Sequence, residues 1–323
     1  MILVSGGAGY IGSHYVLHEQ GRGENLLILD NLVLGHREAA DGIPLMVGDT
    51  RDRVALDRIF NENPIEAVVH FAAFAAVGES VERPDLYYGN NVIGTLTLLD
   101  AMVAHKVKRF VFSSTCATYG NPQYVPMDEK HPQNPINPYG ESKRMVEQIL
   151  QWYDRAFGLK FIALRYFNAA GCDPDGRIGE SHNPERHLIP IVLQAAKGER
   201  ESIIVYGDDY PTPDGTCIRD YIHVLDLAAA HSLALKRLRD GGSSAFYNLG
   251  TGAGYSVRQV IEVCRKITGR PIKETIGPRR SGDPPELVAK AERAQKELNW
   301  QPQYADMERI VQTAWIWEQN RRY

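Results

Sequence analysis

Nine residues near the start of the chain do most to limit what it can fold into. Val4-Ser5-Gly6-Gly7-Ala8-Gly9-Tyr10-Ile11-Gly12 lies between the apolar run Ile2–Val4 and the amphipathic stretch Tyr10–Gln20. It contains a Gly-x-x-Gly-x-x-Gly run at 6, 9 and 12 and a Gly-x-Gly-x-x-Gly run at 7, 9 and 12. Between a strand and a helix, such glycines allow a tight turn and bring backbone close to a pyrophosphate resting on the helix N-terminus. Asp30 closes the next apolar run, 18 residues past Gly12. A carboxylate there accepts hydrogen bonds from an adenosine ribose and repels a 2′-phosphate, which points to NAD rather than NADP.

The first half of the chain repeats this alternation. Ile2–Val4, Leu26–Leu29, Leu45–Val47, Ala67–His70, Arg109–Ser113 and Lys160–Leu164 read as strands. Tyr10–Gln20, Asp52–Asn61, Leu86–Ala104 and Pro138–Phe157 read as helices. Continuous apolar strands separated by helices predict an α/β fold, a doubly wound parallel Rossmann-type sheet covered on both faces. Beyond residue 165 the texture changes. Asn168–Arg186 is rich in Gly, Pro, Asp and Asn and reads as a long irregular connection, followed by shorter elements. The expected division is a NAD-binding domain over 1–165 and a smaller α/β substrate-binding lobe over 166–323, with elements near 217–240 packing back onto the first.

Composition narrows the partners. With 36 basic and 40 acidic side chains, a net charge of −4 carries no electrostatic footprint for nucleic acid or an anionic membrane. The longest apolar stretch, Ala67–Val77, contains His70 and is too short to span a bilayer. The N-terminus reaches its glycine run too soon for a signal segment. Cys116, Cys172, Cys217 and Cys264 lie 45 to 56 residues apart, so reduced thiols of a cytoplasmic protein are expected, with neither a disulfide framework nor a metal centre.

A candidate catalytic pair is Tyr139-x-x-x-Lys143. Alone, the pattern equally describes an aromatic residue beside a surface lysine. Its setting favours chemistry: Asn137-Pro138 is an N-cap followed by proline at the first helical position, so Tyr139 sits in the first turn and shares a face with Lys143. An adjacent ammonium and the helix N-terminus are expected to lower the phenol's pKa and make it a general base. Ser113-Ser114-Thr115 follows a strand at the edge where doubly wound sheets hold ligands, although hydroxyl residues also form ordinary turns there.

Together these residues resemble the extended short-chain dehydrogenase/reductase family, and within it the UDP-glucose (UDP-galactose) 4-epimerases, over essentially the whole chain. The resemblance rests further on His70-Phe71-Ala72-Ala73, Val77-Gly78-Glu79-Ser80, Arg165-Tyr166-Phe167-Asn168, Asp209-Tyr210-Pro211-Thr212, Arg219-Asp220-Tyr221-Ile222-His223-Val224 and Glu297-Leu298-Asn299-Trp300. It implies that Tyr139 takes the proton of the sugar 4-hydroxyl, Lys143 holds the nicotinamide ribose and Thr115 bridges to the substrate oxygen. NAD is expected against Gly6, Gly9, Tyr10, Ile11, Gly12, Phe71, Ala72, Ala73, Asn90, Ser113 and Phe167, with Asp30 and Asn31 at the adenosine ribose and Asp49 and Thr50 at the adenine. For a UDP-sugar it implies Asn168, His187 and Leu188 near the diphosphate and Tyr206 near the uracil. Arg219 and Arg280 would neutralise the phosphates, and Asp283 would accept from the uridine ribose. A homodimer through helices near 86–104 and 138–157 is implied as well.

Three positions depart from the family pattern. Ala75 stands where many members have a lysine, His187 where many have asparagine, and Leu287 where a tyrosine often closes the sugar pocket. The last leaves UDP-N-acetyl sugars and UDP-pentoses open as substrates. A 4,6-dehydratase on this scaffold would need an acid and a base after Thr115, where this chain has Cys116-Ala117. A non-catalytic NAD-binding regulator would not need Tyr139, Lys143 and Thr115 together.

Overall fold

Seven parallel strands form the central sheet of the computed structural model, which describes residues 1–280 and 282–323. Along the chain, β1 (Ile2–Ser5), α1 (Tyr10–Gln20), β2 (Leu26–Asp30), β3 (Leu45–Val47), α2 (Arg53–Glu62) and β4 (Ala67–His70) come first. Then follow α3 (Val77–Glu82), α4 (Pro84–Tyr87), α5 (Gly94–Ala104), β5 (Arg109–Thr115), α6 (Pro138–Phe157) and β6 (Lys160–Tyr166). The second half holds β7 (Asn168–Ala170), α7 (Leu188–Lys197), β8 (Ile203–Tyr206), β9 (Ile218–His223), α8 (Val224–Arg239) and β10 (Ala245–Leu249). It ends with β11 (Gly254–Ser256), α9 (Val257–Thr268), β12 (Glu274–Gly277), β13 (Glu286–Leu287), α10 (Glu292–Leu298) and α11 (Met307–Asn320).

The sheet runs β10-β6-β5-β4-β1-β2-β3. The order of succession reverses between β1 and β4, with β2 and β3 added on one side and β4, β5 and β6 on the other, and that switch point is where such sheets open a crevice beyond their strand ends. The sheet is buried on both faces: Ile2, Val4, Val69 and Val111 belong to one core, and Leu3, Val68, Phe110 and Phe112 to the other. This explains the apolar, non-alternating strands of the sequence.

Two readings are corrected. The sheet has a seventh strand, β10, contributed from beyond residue 240 and paired in parallel with β6. The stretch expected as one helix over Leu86–Ala104 is α4 and α5 joined by a wider, π-type segment over Tyr88–Ile93. The close approach of Gly94 to the chain at Thr50 helps fix its path: a Cβ on Gly94 would lie 2.6 Å from Thr50 Oγ1.

β9 lies between β11 and β13 and also pairs with β7, while β8 and β12 form a separate two-stranded sheet. A third core, with Val192, Leu193, Val260, Ile310 and Trp317, fills this part.

Candidate functional site

The turn from β1 to α1 is built by two glycines with no alternative. Gly6 has φ +75°, and a Cβ on it would lie 2.4 Å from Ala72 N. A Cβ on Gly12 would lie 2.1 Å from Gly6 O. The backbone can therefore pack this tightly only without side chains. α1 then begins with Gly9 as N-cap, no side-chain cap and no acidic residue in its first turn. Its first N–H groups are left to an outside acceptor, the arrangement that binds a phosphate.

Beside this turn lies a groove lined by Gly6, Gly9, Asp30, Asn31, Thr50, Phe71, Ala72, Ala73 and Asn90. Asp30 is anchored at its rim: Ala8 N donates to Oδ2 at 3.0 Å and Leu32 N to Oδ1 at 2.9 Å. Burial raises its pKa, and these two donors offset part of the effect. A bare helix N-terminus, a ribose-height carboxylate and a narrow groove between them fit a dinucleotide.

Several expected contacts lie elsewhere. Asp49 is not in the groove lining; its carboxylate is held by Arg51 at 2.8 Å and by Asn31 Nδ2 at 3.1 Å. The Tyr10 phenol is turned into the loop after β7, its hydroxyl donating to Gly171 O at 2.5 Å, and Ile11 packs on the core, which leaves their backbone N–H groups to serve a ligand. Val33, Leu34 and Phe74 line the groove but were not foreseen. Asn91 was also missed: it accepts from Phe74 N at 2.9 Å, and its Nδ2 donates to Phe74 O at 3.0 Å and Ser142 Oγ at 3.1 Å. Adjacent Asn90-Asn91 was the available signal.

The second part of the site meets at the C-terminal end of β5. Thr115 closes that strand, and α6 starts at the Asn137 cap, whose Oδ1 accepts from Gly140 N at 2.8 Å. Tyr139, 8 % exposed, follows in the first turn with its phenol beside the Thr115 side chain. The expected lowering of its pKa is not found. Burial raises it, Tyr166 adds to the rise, and the neighbouring Thr115 hydroxyl offsets only part. Burial of the phenol is the chief cause, and Lys143 does not offset it: its Nζ donates to Ser113 O at 2.8 Å and lies 4.8 Å above the Phe112 ring. Burial lowers Lys143 to about 7, opposed by Glu147.

α6 is fixed to the sheet by a buried network. Arg165 donates twice to Glu147, at 2.9 and 2.7 Å, while Ser114 Oγ donates to Glu147 at 2.6 Å and Arg165 Nη1 reaches Tyr119 Oη at 3.0 Å. Ser113 Oγ lies 3.0 Å from Tyr166 Oη. Phe167, expected near the nicotinamide, packs with Tyr119, Met127 and Ala289 in a small cluster that Cys116 and Leu287 border.

The residues expected at a nucleotide fall into separate local groups. Arg219 on β9 is in register with Leu287 and donates to Asp283 at 3.2 Å. Arg280 stacks 4.0 Å over the ring of Tyr206. Asn168 pairs along β9 at Tyr221. His187 is the N-cap residue of α7, next to Leu188, and its Nδ1 faces Glu185 at 2.9 Å and Glu180 at 2.8 Å. Burial alone would lower His187, but the two carboxylates outweigh it and raise it to about 10.

Residues 2–250 match the NAD dependent epimerase/dehydratase family. The chain belongs to that family. It is 56 % identical over 316 residues to a UDP-glucose 4-epimerase of Halalkalibacterium halodurans, covering 98 % of this chain and 95 % of that protein. The crystal structure of UDP-glucose 4-epimerase from Brucella ovis in complex with NAD superposes with a TM-score of 0.95 at 48 % identity, over 97 % of each chain. That of the Bifidobacterium longum enzyme in complex with NAD+ and UDP gives 0.93 at 38 % identity, over 99 % and 98 %. Among the described residues no helix is long and apolar enough to cross a membrane.

Proposed function

We propose that this chain interconverts UDP-galactose and UDP-glucose by inverting C4 of the sugar through a transient 4-keto sugar, with NAD as its bound cofactor. The observation that carries the proposal is the meeting of Tyr139 and Thr115 at the strand edge, between a dinucleotide groove and a pair of arginines. NAD+ supplies a reversible hydride acceptor for C4 and the positive charge that Lys143 alone does not bring to the phenol.

Everything else is work for side chains of this protein. Gly6, Gly9 and the N–H groups of Tyr10, Ile11 and Gly12 hold the pyrophosphate, and Asp30 with Asn31 orients the adenosine ribose. Tyr139, as phenolate, takes the 4-hydroxyl proton, and Thr115 passes a hydrogen bond between that oxygen and the phenol. Lys143, anchored on Ser113 O, donates to the nicotinamide ribose. Arg219 and Arg280 neutralise the diphosphate, where guanidinium forks match phosphate oxygens. Stacked on Arg280, Tyr206 supports the uracil, and Asp283 accepts from the uridine ribose. Tethered by these contacts, the keto sugar rotates and presents its other face.

Tyr139→Phe tests the assignment. It keeps the ring and removes the proton acceptor, so conversion of UDP-galactose falls by at least about a hundredfold with folding and NAD content unchanged. A variant with near-normal turnover would refute the role of Tyr139.

The chain is also inferred to act as a homodimer. Ile93 at the end of the π-type segment, Leu96 on α5, and Trp152 and Phe157 on α6 are apolar and exposed, with Trp152 65 % exposed. Such a surface is suited to a second copy of itself.

A further inference from the structure

The loop between β7 and α7 carries four ligating side chains within eight residues, Glu180, His182, Glu185 and His187. One donor atom from each lies within 4.8 Å of all the others. His187 Nδ1 sits 2.8 Å from Glu180 Oε1 and 2.9 Å from Glu185 Oε1. His182 Nδ1 sits 3.4 Å from Glu180 Oε1 and 3.5 Å from Glu185 Oε2. Each ring nitrogen is thus placed between the same two carboxylates.

Hydrogen bonding accounts for only part of this arrangement: Glu185 Oε1 accepts from Arg186 N at 2.7 Å and His187 N at 2.9 Å, and His187 Nδ1 lies 2.9 Å from the same oxygen. An imidazole nitrogen carries at most one proton and cannot direct it at two carboxylates. His182 Nδ1 is buried with no hydrogen-bond partner. Glu180, whose side chain is 5 % exposed, faces both rings. Four ligands around a tetrahedral ion with bonds of about 2.1 Å lie about 3.4 Å from one another. The four nitrogen–oxygen distances bracket that value.

We propose that Glu180, His182, Glu185 and His187 bind one divalent first-row transition ion, zinc foremost, as a closed four-coordinate site. Two imidazoles with two carboxylates suit zinc, and the two carboxylate charges balance the ion. Binding replaces the protons on the two Nδ1 atoms. With all four positions taken by protein, the ion is structural.

What it fastens is visible in the packing. Glu180 O accepts from Trp317 Nε1 of α11 at 2.9 Å, and the His182 ring lies 6.3 Å from Tyr10 at the start of α1. His187 begins α7. The ion therefore ties the loop that joins the dinucleotide groove to α7 and α11. On the epimerase reading, ligation at His187 Nδ1 also fixes the tautomer, leaving Nε2–H as a donor toward the diphosphate.

The test reads metal, so it is independent of any sugar. Untagged protein is stripped with a chelator, exchanged into clean buffer and titrated with zinc chloride by calorimetry. One zinc per chain binds with a Kd below about 1 μM. His182→Ala and Glu180→Gln each weaken binding at least about a hundredfold while circular dichroism shows a folded chain. Cobalt(II) on the wild-type protein, which needs no variant to fold, gives the visible absorption of a four-coordinate ion without a thiolate charge-transfer band. Absence of saturable uptake would leave only an ion-pair network and overturn the proposal. So would uptake that survives His182→Ala, or a thiolate band.

Discussion

Lys143 is where stability and chemistry oppose each other in one side chain. It is 3 % exposed, and burial lowers it from 10.5 to about 7. Below pH 7 the folded state carries a buried ammonium that the unfolded state hydrates freely. Between about 7 and 10.5 the unfolded chain binds more protons, so stability rises with pH across that window. The shift corresponds to at most about 4 to 5 kcal/mol, and the bond to Ser113 O returns about 1 kcal/mol. Lys143→Met therefore raises the thermal midpoint of the cofactor-free protein at pH 6 by roughly 2 °C or more while abolishing turnover, with the gap closing toward pH 10. An unchanged or lower midpoint at pH 6 would show that the ammonium is better solvated than its burial implies. The i, i+4 partnership of Tyr139 and Lys143 was legible in the sequence. The direction of the tyrosine's shift was not, because it depends on how deeply the phenol is buried and on Ser113 O claiming the ammonium.

At the scale of elements, local signals were sufficient where capping chemistry fixes the ends. Asn137-Pro138 opens α6 as expected and the helix closes at Phe157, where Gly158, with φ +68°, is the C-cap. Such signals failed over 86–104, because a π-type turn answers to tertiary demands such as Asn91 stapling Phe74 to α6 rather than to hydrophobic period. α6 owes its placement on the sheet to Arg165 and Glu147, which are 5 % and 1 % exposed. Removing one partner strands a buried charge, so Arg165→Met costs about 3–5 kcal/mol in urea unfolding. Arg165→Met with Glu147→Met together costs less than the sum of the two single changes. Strict additivity would mean that the two side chains do not act as a pair.

For the whole molecule, the sequence read as a sheet half followed by a smaller lobe with elements near 217–240 packing back, whereas the return goes further: β10, beyond residue 240, extends the sheet itself at β6. The run Ala245–Leu249 follows α8 as a strand follows a helix elsewhere in the chain, but its Phe-Tyr-Asn core lacks the β-branched composition of the other strands. The site likewise draws on both halves, with Thr115 and Tyr139 from one and Arg219, Arg280 and Tyr206 from the other. Their long sequence separation is why only a whole-chain resemblance, and no local motif, linked them. On the same scale, Trp152→Glu converts a dimer to a monomer in light scattering, while an already monomeric wild-type chain would contradict the proposed pairing of α5 and α6.

The most direct measurement of the central claim is incubation of the purified protein with UDP-galactose, with no NAD added, followed by chromatographic separation of the nucleotide sugars. The account predicts UDP-glucose accumulating to equilibrium, because the cofactor is regenerated in each turnover and remains bound. No UDP-glucose, with or without added NAD, would contradict it.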